Sequence, residues 1–267
     1  MSFMIEHQNS NFGGDEFSSS GAWSPPTSRA NFCEEDYTIS FYVAEFVNSL
    51  TNFAYIILAL RYMYGPGSRG ILVPKLDFMS ISLLGLGIGS FLFHASLRHT
   101  LEYVDELSML VLTWSMLHAT LVAGQRPSRV PAITTGLAIF YVPFLVFYVW
   151  SENIIWQVIG FVGSIVIIGL RTNYLVRWIK AFPKPKAREL TSRSRQAVLV
   201  GLFGYLLWNV ELKYCAELRH IRQQVGLPWA WVFEFHGWWH VFTAISASQF
   251  MDVAREMRDQ APREKEQ

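Results

Sequence analysis

The chain has 267 residues, of which 51% are hydrophobic, 15% aromatic and 16% charged, with a formal net charge of +1. An ordinary soluble domain carries about 25% charged residues and a nucleic-acid binder shows a basic face, so a plain soluble enzyme and a nucleic-acid partner are both disfavoured. Two cysteines, Cys33 and Cys215, exclude a disulfide-rich scaffold and a zinc site of four thiolates; one disulfide between them and two unrelated buried thiols both stay open.

Met1 to Gly14 is polar and lacks the basic-then-apolar order of a removable signal, so the first apolar stretch is expected to target the chain. The only low-complexity stretch is the Ser/Gly-rich part of the first 22 residues. Seven apolar stretches of the length needed to cross about 30 Å of hydrocarbon follow, at 42–63, 76–97, 101–123, 131–150, 153–174, 196–216 and 229–251. The predicted fold class is therefore all-α: a polytopic membrane protein, a seven-transmembrane helix bundle. Residues 1–41 form its N-terminal segment, 42–251 its membrane domain and 252–267 a charged tail. The basic 180–195 region, with Pro183 and Pro185, reads as a solvated connection that also attracts anionic lipid. Of the 22 Lys and Arg residues, 17 fall on one side of this topology, leaving Arg29, Arg98, Lys213, Arg219 and Arg222 on the other. Positive charge stays in the cytosol, so the N-terminus is expected to be lumenal or extracellular and the C-terminus cytosolic. Both cysteines then lie on the oxidising side.

Ionisable residues inside spans are costly and mark sites of function. Ahead of the first span, Asn31, Glu34, Glu35 and Asp36 share a short loop, and Glu45, Asn48 and Asn52 line one face of that span. These oxygens could hold a hard cation such as calcium; alternatively the loop acids are solvated and Glu45 caps the helix. Ser90 and His94 stand one turn apart near the end of the second span, and Asp105-Glu106 opens the third. His236 and His240, four apart, project from one face of the seventh, where Gly237 admits a close neighbour and Trp238 and Trp239 can pack outward. Taken singly, each reads as structural: a hydrogen-bonded histidine pair, a helix N-terminal acid, a small packing serine. Their common depth joins them. Three histidines that leave one tetrahedral position open form a catalytic zinc site, with a carboxylate at hand to take a proton and a hydroxyl to steady an oxyanion. His7, His99, His118 and His220 have no matching partner and read as structural or exposed.

The segments Trp23-Ser24-Pro25-Pro26-Thr27-Ser28, Cys33-Glu34-Glu35-Asp36-Tyr37, Ala44-Glu45-Phe46 with Asn48, and Gly89-Ser90 with Phe93-His94 resemble the alkaline ceramidase family. So do Asp105-Glu106-Leu107 with Met109, Trp208-Asn209, Cys215 with Glu217-Leu218-Arg219, and Phe235-His236 with Trp238-Trp239-His240. That family comprises seven-span zinc amidases of the superfamily that includes the adiponectin receptors, and the resemblance runs from about Trp23 to Met251. It implies zinc held by His94, His236 and His240, with Ser90 and Asp105 as catalytic partners. It further implies calcium at Asn31, Phe32 (through its carbonyl), Glu34, Asp36 and Glu45, and a disulfide joining Cys33 to Cys215. Asn31 stands where the family more usually has Asp, which removes a charge from the calcium set, and Phe32 where it usually has Trp, a change expected to matter less. The implied activity is hydrolysis of the ceramide amide to sphingoid base and free fatty acid. The implied setting is the endoplasmic reticulum or Golgi membrane, with a lipid substrate and no protein partner. Two other readings use the same residues: a lipid-sensing receptor with a structural zinc, and a proton-coupled transporter with a relay through Glu45, Asp105 and Glu211.

Overall fold

The apolar stretches fold as helices. The computed structural model describes residues 15–70 and 72–262, and among them the α-helices are α1 (Phe46–Thr51), α2 (Phe53–Met63), α3 (Phe78–Ser96), α4 (His99–Val122), α5 (Val130–Ser151), α6 (Ile154–Asn173), α7 (Lys184–Val225) and α8 (Phe235–Gln260). The first two abut at Asn52, whose own backbone is helical, so together they fill the first predicted stretch; each later stretch holds one helix. His7, Arg263 and Lys265 lie outside the described residues.

Helix starts follow local chemistry. Asn153 caps α6 by accepting from the Ile155 amide at 3.0 Å. Asp77 opens α3 in a capping box with Ser80, and both its oxygens also receive the Arg255 guanidinium of α8, at 2.8 and 3.2 Å. Replacing Asp77 with alanine therefore removes a cap and the two-oxygen partner of a buried guanidinium, which keeps only Asp252 as an acid. The expected cost is about 2–4 kcal/mol, read as a lower melting temperature in detergent, with Asp77→Asn losing less because it keeps the cap.

The basic 180–195 connection is corrected by the structure. From Lys184 onward it is the first three turns of α7, and Lys186 and Arg193 pair there with Glu189 and with Glu256 of α8. Pro183 and Pro185 sit at the N-cap and in the first turn, where a missing amide costs nothing and the fixed φ favours a helix. The same helix runs past its predicted end at 216 to Val225, and the last one begins at Phe235, after a short 3-10 turn over Trp229–Phe233. Residues 252–260, expected in the charged tail, continue α8, with Arg255 buried.

The surface is inverted relative to a soluble protein. α5 buries only Tyr141 and Tyr148, while Ile139, Phe140, Val142 and Val146 face outward; the buried set holds Glu45, Asn48, Asn52, His94 and Glu211. Trp150 and Trp178 are about four-fifths exposed, as side chains anchored at a lipid–water boundary are. Four segments, Phe78–Ser96, Pro127–Ser151, Ile154–Trp178 and Lys184–Val225, are long and apolar enough to cross a membrane by length and composition. Outside that set, α1 and α2 are each too short to cross alone, with 6 and 11 residues, while α4 and α8 carry acids and histidines that lower their hydropathy.

The N-terminal segment closes one end of the bundle. The Leu97 carbonyl at the end of α3 accepts from the Thr27 and Ser28 amides, and those of Ala95 and His94 accept from Ala44 and Glu45; these are carbonyls a helix terminus leaves unpaired. Glu102 of α4 accepts from the amides of Arg29 and Ala30, both at 2.9 Å. The disulfide implied by the resemblance is present, joining Cys33 to Cys215 on α7.

Candidate metal centre

Two helix ends meet beneath that closure. His94 lies in the last turn of α3, and His236 and His240 occupy the first two turns of α8. All three are buried, and their ligand atoms lie within 4.8 Å of one another. Gly237 makes the approach possible: a Cβ there would sit 3.2 Å from Thr51 and 3.3 Å from Val47 of α1.

Outer partners fix which ring nitrogen faces the centre. His94 Nδ1 meets Glu45 Oε2 at 2.5 Å; a carboxylate takes the N–H and leaves the Nε2 lone pair as ligand. That Nε2 is buried and has no partner among the described residues. Thr51 Oγ1 donates to the carbonyls of Val47 and Asn48. At His240 Nδ1, 3.1 Å away, it therefore accepts, which again directs Nε2 inward. Three buried imidazoles whose ligand atoms converge fit a metal ion such as zinc that keeps a fourth position open.

Ser90, one turn before His94, lies beside the Asp105 carboxylate of α4. The predicted serine, acid and histidines thus share one end of the bundle. Tyr55 approaches the His240 ring, 6.4 Å between centroids, and bonds to Thr243 at 2.5 Å. The remaining described histidines are occupied elsewhere: His118 with Thr134, His220 with Gln224 and His99 against the Tyr103 ring. Trp238 faces outward as expected, but Trp239 turns inward against Trp208, 5.3 Å between centroids.

The acidic loop is not solvated. Glu34 is buried with both oxygens on backbone amides of α1, Val47 at 2.6 Å and Asn48 at 2.8 Å. It therefore caps that helix from a distance, while Glu45, at the N-cap position, makes no side-chain cap. Asn31 Oδ1, both Asp36 carboxylate oxygens and Asn48 Oδ1 are buried without hydrogen-bond partners among the described residues. Burial, and then the neighbouring Glu45 charge, push the carboxyls of Glu34 and Asp36 up to about 8. Unpartnered oxygens of this kind are donors that a hard cation takes.

Four contacts escaped the sequence reading, although it named Glu45, Phe32 and Glu211 for other roles. Glu45 is the acid on His94, Thr51 holds His240, Phe32 stacks its ring on His236 at 3.9 Å, and Glu211 accepts from the His236 amide at 2.6 Å. A ligand histidine calls for an outer acceptor, but which acid meets it across 49 residues is a tertiary fact.

The ceramidase family model matches residues 24–267. Alkaline ceramidase YPC1 of Saccharomyces cerevisiae is 30% identical over 245 residues, covering 86% of this chain and 76% of its own. Alkaline ceramidase 3 of Mus musculus is 26% identical, covering 85% and 82%, and an alkaline ceramidase of Arabidopsis thaliana is 25% identical, covering 85% and 83%. With a family model spanning nearly the whole chain and the histidine cluster inside the matched region, the chain belongs to the ceramidase family.

Proposed function

We propose that the chain hydrolyses the amide bond of a ceramide within the membrane, releasing a sphingoid base and a free fatty acid. The observation that carries this reading is the meeting of three buried imidazoles with the Ser90–Asp105 pair, in a chain whose relatives are named alkaline ceramidases. His94, His236 and His240 would hold zinc, which when bound supplies Lewis acidity to a carbonyl and to a water molecule. Asp105 takes the proton of the attacking water and delivers it to the departing amide nitrogen, a general base turned general acid. The Ser90 hydroxyl orients that carboxylate and donates to the carbonyl oxygen as negative charge gathers there. Seven spans, with the N-terminus lumenal and the C-terminus cytosolic in the endoplasmic reticulum or Golgi, complete the reading. The acyl chain and the sphingoid chain then both stay in hydrocarbon while the amide reaches the polar end of the bundle.

The test is release of sphingoid base from a ceramide panel by purified protein, with and without a zinc chelator, followed by zinc restoration. Turnover lost on chelation and recovered with zinc supports the amidase. Folded, zinc-loaded protein without turnover points to the lipid-sensing receptor, and proton-driven transport that survives chelation points to the transporter.

Calcium is assigned to Asn31, the Phe32 carbonyl, Glu34, Asp36 and Glu45. At a hundred times its dissociation constant a specific cation stabilises a fold by about 2.7 kcal/mol. Calcium is thus expected to raise the melting temperature of the wild type and not that of Asp36→Ala; equal shifts in both would remove the assignment.

A further inference from the structure

We infer that Glu211 is a positioning residue of the metal centre, holding in register the helix turn and the loop that flank His236; this rests on the metal reading above. Along α7 the residues Trp208, Glu211, Cys215, Leu218 and Arg222 recur every three or four positions and so share one face. That face gathers everything around one metal ligand. Trp208 lies against the His236 ring, 5.6 Å between centroids, Cys215 forms the disulfide with Cys33, and Arg222 donates to the Cys33 carbonyl at 2.7 Å and to Glu35 at 3.0 Å. Glu211 stands in the middle, 1% exposed.

Its carboxylate stands between two backbone segments. It accepts the His236 amide at 2.6 Å and lies beside the backbone of Cys33. The first amides of a helix have no partner within it, and a negative group suits that positive end. In α8 the residue at the N-cap, Glu234, makes no side-chain cap because it is paired with Arg222 at 2.7 Å. Glu211 therefore caps α8 from the neighbouring helix, at the residue that presents a ligand. Beside Cys33 it also braces the loop whose preceding residue, Phe32, stacks on the His236 ring at 3.9 Å. One carboxylate thus fixes the ligand's backbone and braces the segment whose ring covers its imidazole. It stands apart from the metal-holding group itself, whose gathered ligand atoms belong to His94, His236 and His240. Keeping an acid in this buried place is costly; the His236 amide is what the carboxylate satisfies and an apolar residue would leave orphaned.

The experiment uses the full chain in detergent as wild type, Glu211→Ala and Glu211→Gln. Each is loaded with cobalt as a spectroscopic substitute and followed by visible absorption, cobalt affinity and turnover of a long-chain ceramide. Outer partners of metal ligands are worth about ten- to a hundredfold in metal affinity or activity. Glu211→Ala is therefore expected to weaken cobalt binding by that factor, alter the absorption band, and lower kcat while KM stays within about twofold. Glu211→Gln keeps an acceptor for the His236 amide and is expected to restore the wild-type band and most of kcat. If the alanine variant does not fold, Glu211→Asp replaces it: the shortened reach should shift the band and lower kcat. A wild-type band and affinity in the alanine or aspartate variant overturns the inference. So does a glutamine variant as impaired as alanine, which assigns the effect to the charge. A wild type that binds no cobalt overturns the metal reading and this inference with it, so the two failures are distinct.

Discussion

Alanine in place of His240 should leave the protein folded, metal-free and at least about a thousandfold slower on ceramide. The size follows from what the ion contributes: several kcal/mol of stabilisation for the charge developing on the carbonyl oxygen, where each 1.36 kcal/mol is about tenfold in rate. His240 is one of three side chains whose ligand atoms converge among the described residues, and it sits between Thr51, which orients it, and the ring of Tyr55. Two imidazoles alone hold zinc weakly, and the ring that remains on α8, His236, cannot reposition because its backbone and both faces of its surroundings are packed. The measurement is zinc per chain together with turnover, and the melting temperature supplies the control. The variant should melt where chelated wild type melts, because both lack the ion and differ by one buried ring. Retained zinc with full turnover would remove His240 from the centre. Lost zinc with full turnover would remove the metal from the chemistry.

Much of this centre was legible because helices impose a period. Ser90 with His94 and His236 with His240 are four apart, which places each pair on one face whatever else the chain does. Inward acids and histidines in otherwise apolar stretches stood out against the cost of burying them. Other features depend on contacts between distant segments. Glu45 was read as a helix cap or cation ligand; the cap comes instead from Glu34, and one Glu45 oxygen also meets His94. Phe32 entered the reading for its carbonyl, and its ring proves to cover His236. The basic 180–195 region misled for a different reason: proline marks loops and first helical turns alike, and charge density suggested solvent where Glu189 and Glu256 were available as partners. The polar character that revealed the site also kept its helices, α4 and α8, below the hydropathy of their lipid-facing neighbours.

Asp105→Asn should cost about a hundred- to ten-thousandfold in kcat, the range for loss of a positioned general base, with zinc content unchanged. Asparagine is nearly isosteric and can still face the Ser90 hydroxyl, so packing survives while the capacity to take a proton does not. Ser90→Ala removes a donor to the reacting oxygen and the orienting partner of Asp105 together; the loss expected for one such donor is about a hundred- to a thousandfold. Because the two side chains stand beside each other, they are expected to act as a unit, and the double variant should fall close to the weaker single variant rather than to the product of both losses. Independent contributions would multiply. That comparison separates the assigned roles from a general loosening of the site, which would lower zinc content in all three variants. An Asp105→Asn enzyme within tenfold of wild type would show that the proton moves by another route, and the nearest acid on the same helix, Glu106, is engaged by the Tyr148 hydroxyl. With that group committed elsewhere, the burden of proton transfer falls on Asp105.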